Sequence, residues 1–489
     1  MTKQIRTLSM YLPQFHSVPE NDEWWGKGFT EWTTVRGAEP LFEGHNQPIK
    51  PLNDNYYNLM DKETMEWQVK LMKEYGIDGQ CFYHYYFKDG RKILEKPAEN
   101  LLGWKDIDMP FCFCWANGRW ARTWSNLRGN SWADKFETKG TRENNGVLIE
   151  QLFPFFLDER YIKIDGAPVF LIYSPLTIPC LPQMIDYWNK LAEEKGMKGI
   201  YFIGMNSDRR IDGMNALMLF APHMVWKLEN PVNGIRRIDY EQMWDTIGKA
   251  QPVGGQRTYY CAVPNLDDTP RRGTHDGVLF KNFSIGKFYD GMCTIYKKSL
   301  EAGNEFVFIN AWNEWGEGTQ LEPDEKYGYA KLAAVLNAQR HVLERENMDG
   351  PKPMEKNAGN LTDDVKNRGY LLTAKCFDEW MGLREKSISV SDYLKKYGAI
   401  HVAVYGYGML ARHLLTELRE TDIVVEYIID KSNRKKSLEY EVKNLEDHLP
   451  QVDAVIITIV DEFDSIYRNL KKRMCSRFFS LYEIVSEMP

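Results

Sequence analysis

The chain has 489 residues, enough for two or three domains, and a 43% hydrophobic, 27% charged composition that can bury a substantial core. Its 62 lysines and arginines stand against 69 aspartates and glutamates, and the formal net charge of −7 argues against a nucleic-acid backbone as partner. Eight cysteines with no Cys-x-x-Cys pair resemble neither a disulfide framework nor a zinc site, and no apolar run reaches the ~18 residues of a membrane span.

The first residues, Met-Thr-Lys-Gln-Ile-Arg, run straight into a strand-like segment with no signal peptide, so a reducing cytoplasm is the expected location. Short apolar runs then alternate with longer amphipathic stretches. Strands are predicted over Ile5–Leu12, Gly79–Phe87, Met109–Trp115, Pro168–Tyr173, Gly199–Met205, Ala216–Phe220, Arg257–Val263 and Phe306–Trp312. Helices are predicted over Glu63–Tyr75, Val147–Phe156, Leu181–Lys195, Tyr240–Ala250, Phe280–Ala302 and Lys326–Arg345. Cys81, Cys112, Cys114 and Cys261 fall inside the strand runs and read as buried thiols. Eight strands with intervening helices predict an α/β fold, a (β/α)8 TIM barrel, over residues 1–345.

Barrel active sites gather at the C-terminal ends of the strands, and those ends carry polar groups interleaved with aromatics. His16 follows the first strand, with Tyr11 inside it; His84 and Tyr85 end the second; Trp115, Asn117 and Trp120 end the third; His223 follows the sixth and Asp267 the seventh. The insert from Ser17 to Asn55 is long for such a loop and holds Trp25, Glu31, Trp32 and His45, so it is expected to wall or cover the cleft. Taken singly, each of these aromatics and histidines is better explained by core packing. Their convergence on one end of the barrel points to a carbohydrate groove.

After the eighth strand comes Asn-Ala-Trp312-Asn313-Glu314-Trp315-Gly316-Glu317-Gly318. The glycines disfavour an ordinary helix, and indole faces stack on sugar rings. Two carboxylates among apolar neighbours can be held in different protonation states, as cleavage at a sugar carbon needs. Glu314 and Glu317 are therefore the candidate catalytic pair, with Asn313 and Trp315 as binding candidates.

Tyr11-Leu-Pro-Gln-Phe-His16, Trp24-Trp25-Gly-Lys-Gly-Phe-Thr-Glu-Trp32, Gly44-His-Asn-Gln-Pro48, Tyr83-His-Tyr85, Trp115-Ala-Asn117 and Trp312-Asn-Glu-Trp-Gly-Glu-Gly-Thr319 resemble the WbsX-like proteins. These are the glycoside hydrolase family 99-like proteins of polysaccharide and lipopolysaccharide clusters. The resemblance runs from about residue 5 to 345. It implies a retaining reaction without metal or cofactor, with an oligo- or polysaccharide as substrate. Glu314 would activate the sugar 2-hydroxyl to form an anhydrosugar, and Glu317 would act as acid/base on the leaving oxygen. Glycosyl transfer in polysaccharide synthesis, and a non-catalytic glycan-binding role, stand as alternatives.

Tryptophan usage then drops: 14 of 15 lie before residue 345. Residues 346–397 read as a polar linker followed by a helical segment. From 398 to 489 a strand–turn–helix–strand pattern carries Gly406-x-Gly408-x-x-Ala411, with Asp430 about 20 residues further on. This resembles a dinucleotide-binding fingerprint on a small Rossmann-like domain. A nucleotide or nucleotide sugar is a candidate ligand there. On the competing reading the glycines serve only the tight turn.

Overall fold

The computed structural model describes residues 5–87, 90–118, 142–222, 230–344, 373, 376, 377, 379–386, 388–430, 440–460 and 463–488. The chain divides into two compact units, one formed by 1–283 and 287–348, the other by 284–286 and 349–489.

In the first unit eight strands form a closed parallel barrel. They are β1 (Arg6–Tyr11), β2 (Gly79–Tyr86), β3 (Phe111–Trp115), β4 (Ala167–Ile172), β5 (Tyr201–Met205), β6 (Ala216–Leu219), β7 (Thr258–Ala262) and β8 (Phe306–Ile309). Each pairs with its neighbours in chain order, and β1 pairs with both β2 and β8, which closes the ring. Every predicted strand run overlaps one barrel strand, the fourth starting one residue earlier than predicted, at Ala167. The strands are almost wholly buried on both faces, as parallel sheets covered by helices are, which is why they read as continuous apolar runs rather than alternating ones.

Helices Lys62–Glu74, Arg142–Phe156, Leu181–Glu194, Tyr240–Lys249, Ile285–Glu301 and Ala330–Gln339 lie between strands or after β8. The helix predicted from Phe280 starts later, at Ile285. Its first two residues belong instead to a strand, Gly277–Lys281, paired in parallel with Ile235–Asp239. The run Gly-Val-Leu-Phe suits a pleated half-buried surface, and Asn282 at φ 61° breaks the chain direction before the helix. This two-stranded ribbon is built from the loops after β6 and β7, so it stands at the C-terminal end of the barrel.

The insert after β1 folds into two short helices, Pro19–Trp25 and Glu31–Arg36. Trp24 is fixed in an apolar cluster with Phe87, Ile93 and Leu94, against which Val18, Trp25 and Tyr85 pack. The insert is thereby tied to the end of β2, at the C-terminal mouth of the barrel.

The second unit holds five parallel strands, β9 (His401–Tyr405), β10 (Val424–Ile429), β11 (Val442–Lys443), β12 (Ala454–Ile457) and β13 (Arg477–Ser480), in the order β11-β10-β9-β12-β13. Ala403, Tyr405, Ile429, Val455 and Ile457 are buried in its core. Among the described residues, no helix is long and apolar enough to cross a membrane.

Candidate active site

β8 is fully buried, and the chain leaving it is pinned before it reaches the glutamates. Asn313 Oδ1 accepts from Leu12 N at 2.7 Å, and its Nδ2 donates to Leu12 O at 2.9 Å. The amide thus locks the end of β8 to the end of β1. A single 3-10 turn follows over Trp315–Glu317 and ends at Gly318, at φ 66°. A Cβ on Gly318 would stand 2.9 Å from Asp267 N, so both the left-handed backbone and the close approach of the β7 loop require glycine. Under the turn lies a buried network. Glu322 accepts from Trp315 Nε1 at 2.7 Å, from Tyr57 Oη at 2.8 Å and from Gln68 Nε2 at 2.8 Å. Burial raises the Glu322 carboxyl to about 7 even though these three donors pull it down.

Above the turn one arginine gathers three carboxylates. Arg271, on the short helix Thr269–Arg272 after β7, donates from Nε to Glu31 Oε1 at 2.7 Å, from Nη2 to Glu314 Oε2 at 2.5 Å and from Nη1 to Glu317 Oε1 at 2.6 Å. Arg271, Glu31 and Glu314 are buried, while the Glu317 side chain remains 29% exposed. Burial works to strip the guanidinium of its proton, but the three carboxylates outweigh it and hold Arg271 well above its ordinary value. Burial pushes Glu314 up to about 8, against the pull of Arg271 and with the repulsion of Glu317 and Glu31 added. With every group ionised the four would carry two net negative charges out of water, so the cluster favours keeping a proton.

Tyr83 and Tyr85 of β2 and Tyr173 beyond β4 are half-buried beside this cluster. Burial, and then the charge of Glu314, holds the first two phenols protonated; for Tyr173 it is burial and then Glu317. The β7 loop is bolted to the insert through Asp267. Its Oδ2 accepts from Gln47 Nε2 at 2.8 Å and lies 2.8 Å from His45 Nε2, and its Oδ1 accepts from Thr269 Oγ1 at 2.6 Å. Leu41 N donates to His45 Nδ1 at 3.0 Å, which leaves Nε2 as the protonated nitrogen that donates to Asp267.

A family model described as Glycosyltransferase WbsX matches residues 7–335. The chain belongs to the WbsX family. It is 32% identical over 346 residues to the uncharacterized protein WxcX of two strains of Xanthomonas campestris pv. campestris, across 68% of this chain and 49% of the relative. The chain thus spans about half the length of the curated relatives it matches. Among solved structures it is similar to a GH99 endo-alpha-mannosidase from Bacteroides thetaiotaomicron in complex with bis-tris propane, at 17% identity and TM-score 0.43, over 70% of this chain and 99% of that one. It is also similar to a family 5 xyloglucanase from Paenibacillus pabuli, at 7% identity and TM-score 0.37, over 69% and 99%.

In this WbsX-family chain the mouth of the barrel brings together Glu314, Glu317, Glu31 and Tyr85, with Trp25 half-buried in the cluster that Tyr85 joins. His45 and Asp267 brace the loops around them. Trp32 is buried, donates to Tyr57 O at 2.8 Å and packs on Trp315, whose own indole N–H goes to Glu322. Asn117 is buried and clamps the β4 loop, accepting from Ser174 N and donating to Ser174 O. His16 is buried, and burial lowers its pKa.

Three predicted site residues face the helix layer or the core instead of the cluster. Tyr11 is fully buried and donates to Gln68 on helix Lys62–Glu74. His84 alternates with Tyr83 and Tyr85 along β2, so it points to the opposite face, where burial lowers its pKa to about 4. Trp115 stacks on Trp188 of helix Leu181–Glu194. Trp120 and His223 lie outside the described residues. Sequence reasoning missed Arg271, Tyr83, Tyr173 and Glu322.

In the second unit, Tyr407 N donates to Asp430 Oδ2 at 2.7 Å across the turn between β9 and helix Met409–Leu418. Gly406 has φ 87°, and a Cβ there would stand 2.9 Å from Ile459. Gly408 has open space around it, and Ala411 is buried.

Proposed function

We propose that the chain is a glycan-active enzyme that works on glycosidic bonds through Glu314 and Glu317, as a retaining, endo-acting glycoside hydrolase of a surface polysaccharide or oligosaccharide. The observation that carries this reading is the placement of both carboxylates on adjacent nitrogens of one buried guanidinium, at the end of a barrel where substrates bind. Burial suits Glu314 to the inner role. A carboxylate whose proton affinity lies near the working pH is an effective base toward the sugar 2-hydroxyl. Glu317 is the more open of the two, so a bulky leaving-group oxygen can reach it.

In the first half of such a reaction Glu314 takes the 2-hydroxyl proton and O2 attacks C1. The C1–leaving-oxygen bond breaks with its electron pair on that oxygen, which takes the Glu317 proton. In the second half water adds to C1 as the C1–O2 bond breaks with its electron pair on O2; the water's proton goes to Glu317, and Glu314 returns its proton to O2. The pair must therefore hold one proton between them, and that proton must sit on Glu317 when the sugar is bound, whereas burial favours it on Glu314 in the empty site.

A second reading, transfer from a nucleotide sugar during polysaccharide synthesis, has the description of the family model behind it. The charge at the site weighs against a donor bound directly on the pair. A diphosphate placed there would meet three carboxylates and one guanidinium, and like charges at such distances repel strongly in a buried site. The two readings separate in parallel incubations with surface glycans and with nucleotide sugars. The hydrolase reading expects shortened glycan with retained anomeric configuration and no nucleotide released. Consumption of a nucleotide sugar with no glycan shortened would favour transfer.

A further inference from the structure

We propose that Arg271, held in place by Glu31, is the positioning residue of the Glu314/Glu317 pair; this rests on the reading of that pair as the site of glycosidic chemistry. The four side chains come from three separate loops. Glu31 begins the second helix of the insert after β1, Arg271 lies on the helix after β7, and the two glutamates flank the turn after β8. A guanidinium is a planar fork whose nitrogens stand in fixed relation. Once Glu31 holds Nε, the two terminal nitrogens have one orientation left, and they set where the facing oxygens of Glu314 and Glu317 lie.

The backbone is built around this contact. A Cβ on Gly316, which directly precedes Glu317, would stand 1.8 Å from Glu31 Oε1 and 2.8 Å from Arg271 Nε. The helix carrying Arg271 is also tied down, since Arg271 N donates to Asp268 O at 3.0 Å and Asp268 Oδ1 accepts from Val278 N at 2.6 Å. A lysine could supply the charge at this position but not three donors in one plane.

Charge gives the arrangement a second consequence. Among the described residues, the groups facing the pair from the packed elements are the phenols of Tyr83, Tyr85 and Tyr173, together with Asp267, Asp268 and Arg272 of the β7 loop. Asp268 is paired with Arg272 at 2.8 Å, and Asp267 receives His45 and Gln47. The balance at the pair is therefore set by Glu31 and Arg271, which act in opposite senses. Neutralising Glu31 frees the guanidinium for the other two carboxylates, while neutralising Arg271 leaves three carboxylates uncompensated.

The test uses the full chain labelled with carbon-13 at the glutamate Cδ and titrated by NMR, as wild type, Glu31→Gln, Arg271→Met and the double variant. Glu31→Gln should lower the highest carboxyl midpoint by about one pH unit or more, Arg271→Met should raise it by a similar amount, and the double variant should lie between. Shifts in the same direction, or none, would overturn the proposal. If Arg271→Met does not fold, Glu31→Gln decides alone: a downward shift supports the proposal, and an unchanged or higher midpoint overturns it. Arg271→Lys keeps the charge without the fork, so kcat on a cleaved glycan should fall about a hundredfold with little change in the titration; wild-type kcat in that variant would also overturn it. Opposite titration shifts in a protein that cleaves no glycan would leave the clamp standing and remove the hydrolase reading.

Discussion

Gly316 has no side chain, and the room a methyl group would take is filled by Glu31 and Arg271. Gly316→Ala must therefore displace a buried ion pair or lift the turn. Turnover should fall at least about tenfold, and stability by about 1–3 kcal/mol, the usual cost of overpacking. Calorimetry and glycan cleavage on one preparation check this, and an alanine variant with wild-type rate would show that the turn does not depend on the pair. The glutamates themselves were legible in the sequence because tryptophan and glycine crowd around them. Arg271 was not. It stands in Thr-Pro-Arg-Arg, where the neighbouring Arg272 is partly exposed and Arg271 is buried, and only helix phase separates the two. The one available signal was local: Asp268 followed by Thr-Pro marks a helix start just beyond β7, which places an arginine near the barrel mouth.

Within β2 the period of two decides which side chains can reach the cluster. Placing His84 beside Tyr85 in the groove ignored that alternation, and the same holds for Trp115 on β3, which packs outward on Trp188. Trp115→Ala should destabilise the barrel by about 3–5 kcal/mol, as deletion of a buried tryptophan does, while the folded fraction keeps its KM for glycan. A large rise in KM without loss of stability would return Trp115 to the cleft. The strand pattern itself was recoverable because buried parallel strands make continuous apolar runs. The ribbon Gly277–Lys281 was not, since four apolar residues ahead of a helix carry no period of their own. In the second unit the two turn glycines should part company. Gly406→Ala is strained at positive φ and meets Ile459, so it should cost about 1 kcal/mol or more. Gly408→Ala enters open space and should melt with the wild type; equal losses at both sites would contradict the turn geometry.

Across the whole molecule, three buried carboxyls make stability depend on pH in one direction. Glu322 is raised to about 7, Asp268 to about 7 and Glu314 to about 8, in each case by burial first. A carboxyl whose folded pKa exceeds its unfolded value binds its proton more tightly when folded. Its contribution is full below the unfolded value and is lost as pH rises through the folded one. The protein should accordingly be less stable at pH 8 than at pH 5, by about 3 kcal/mol from Glu322 alone. Glu322→Gln should flatten that fall in a denaturant series, and an undiminished slope would mean that Glu322 is ionised in the folded state throughout. The central claim concerns Glu314 and Glu317, and the most direct test follows the anomeric proton signals of a surface oligosaccharide during incubation with the wild type, Glu314→Gln and Glu317→Gln. The account predicts shortened product whose new reducing end first appears with retained configuration. In either variant the rate should be at least about a hundredfold lower, with melting temperature still that of a folded protein. Cleavage at the wild-type rate in either variant, or product that first appears inverted, would contradict it.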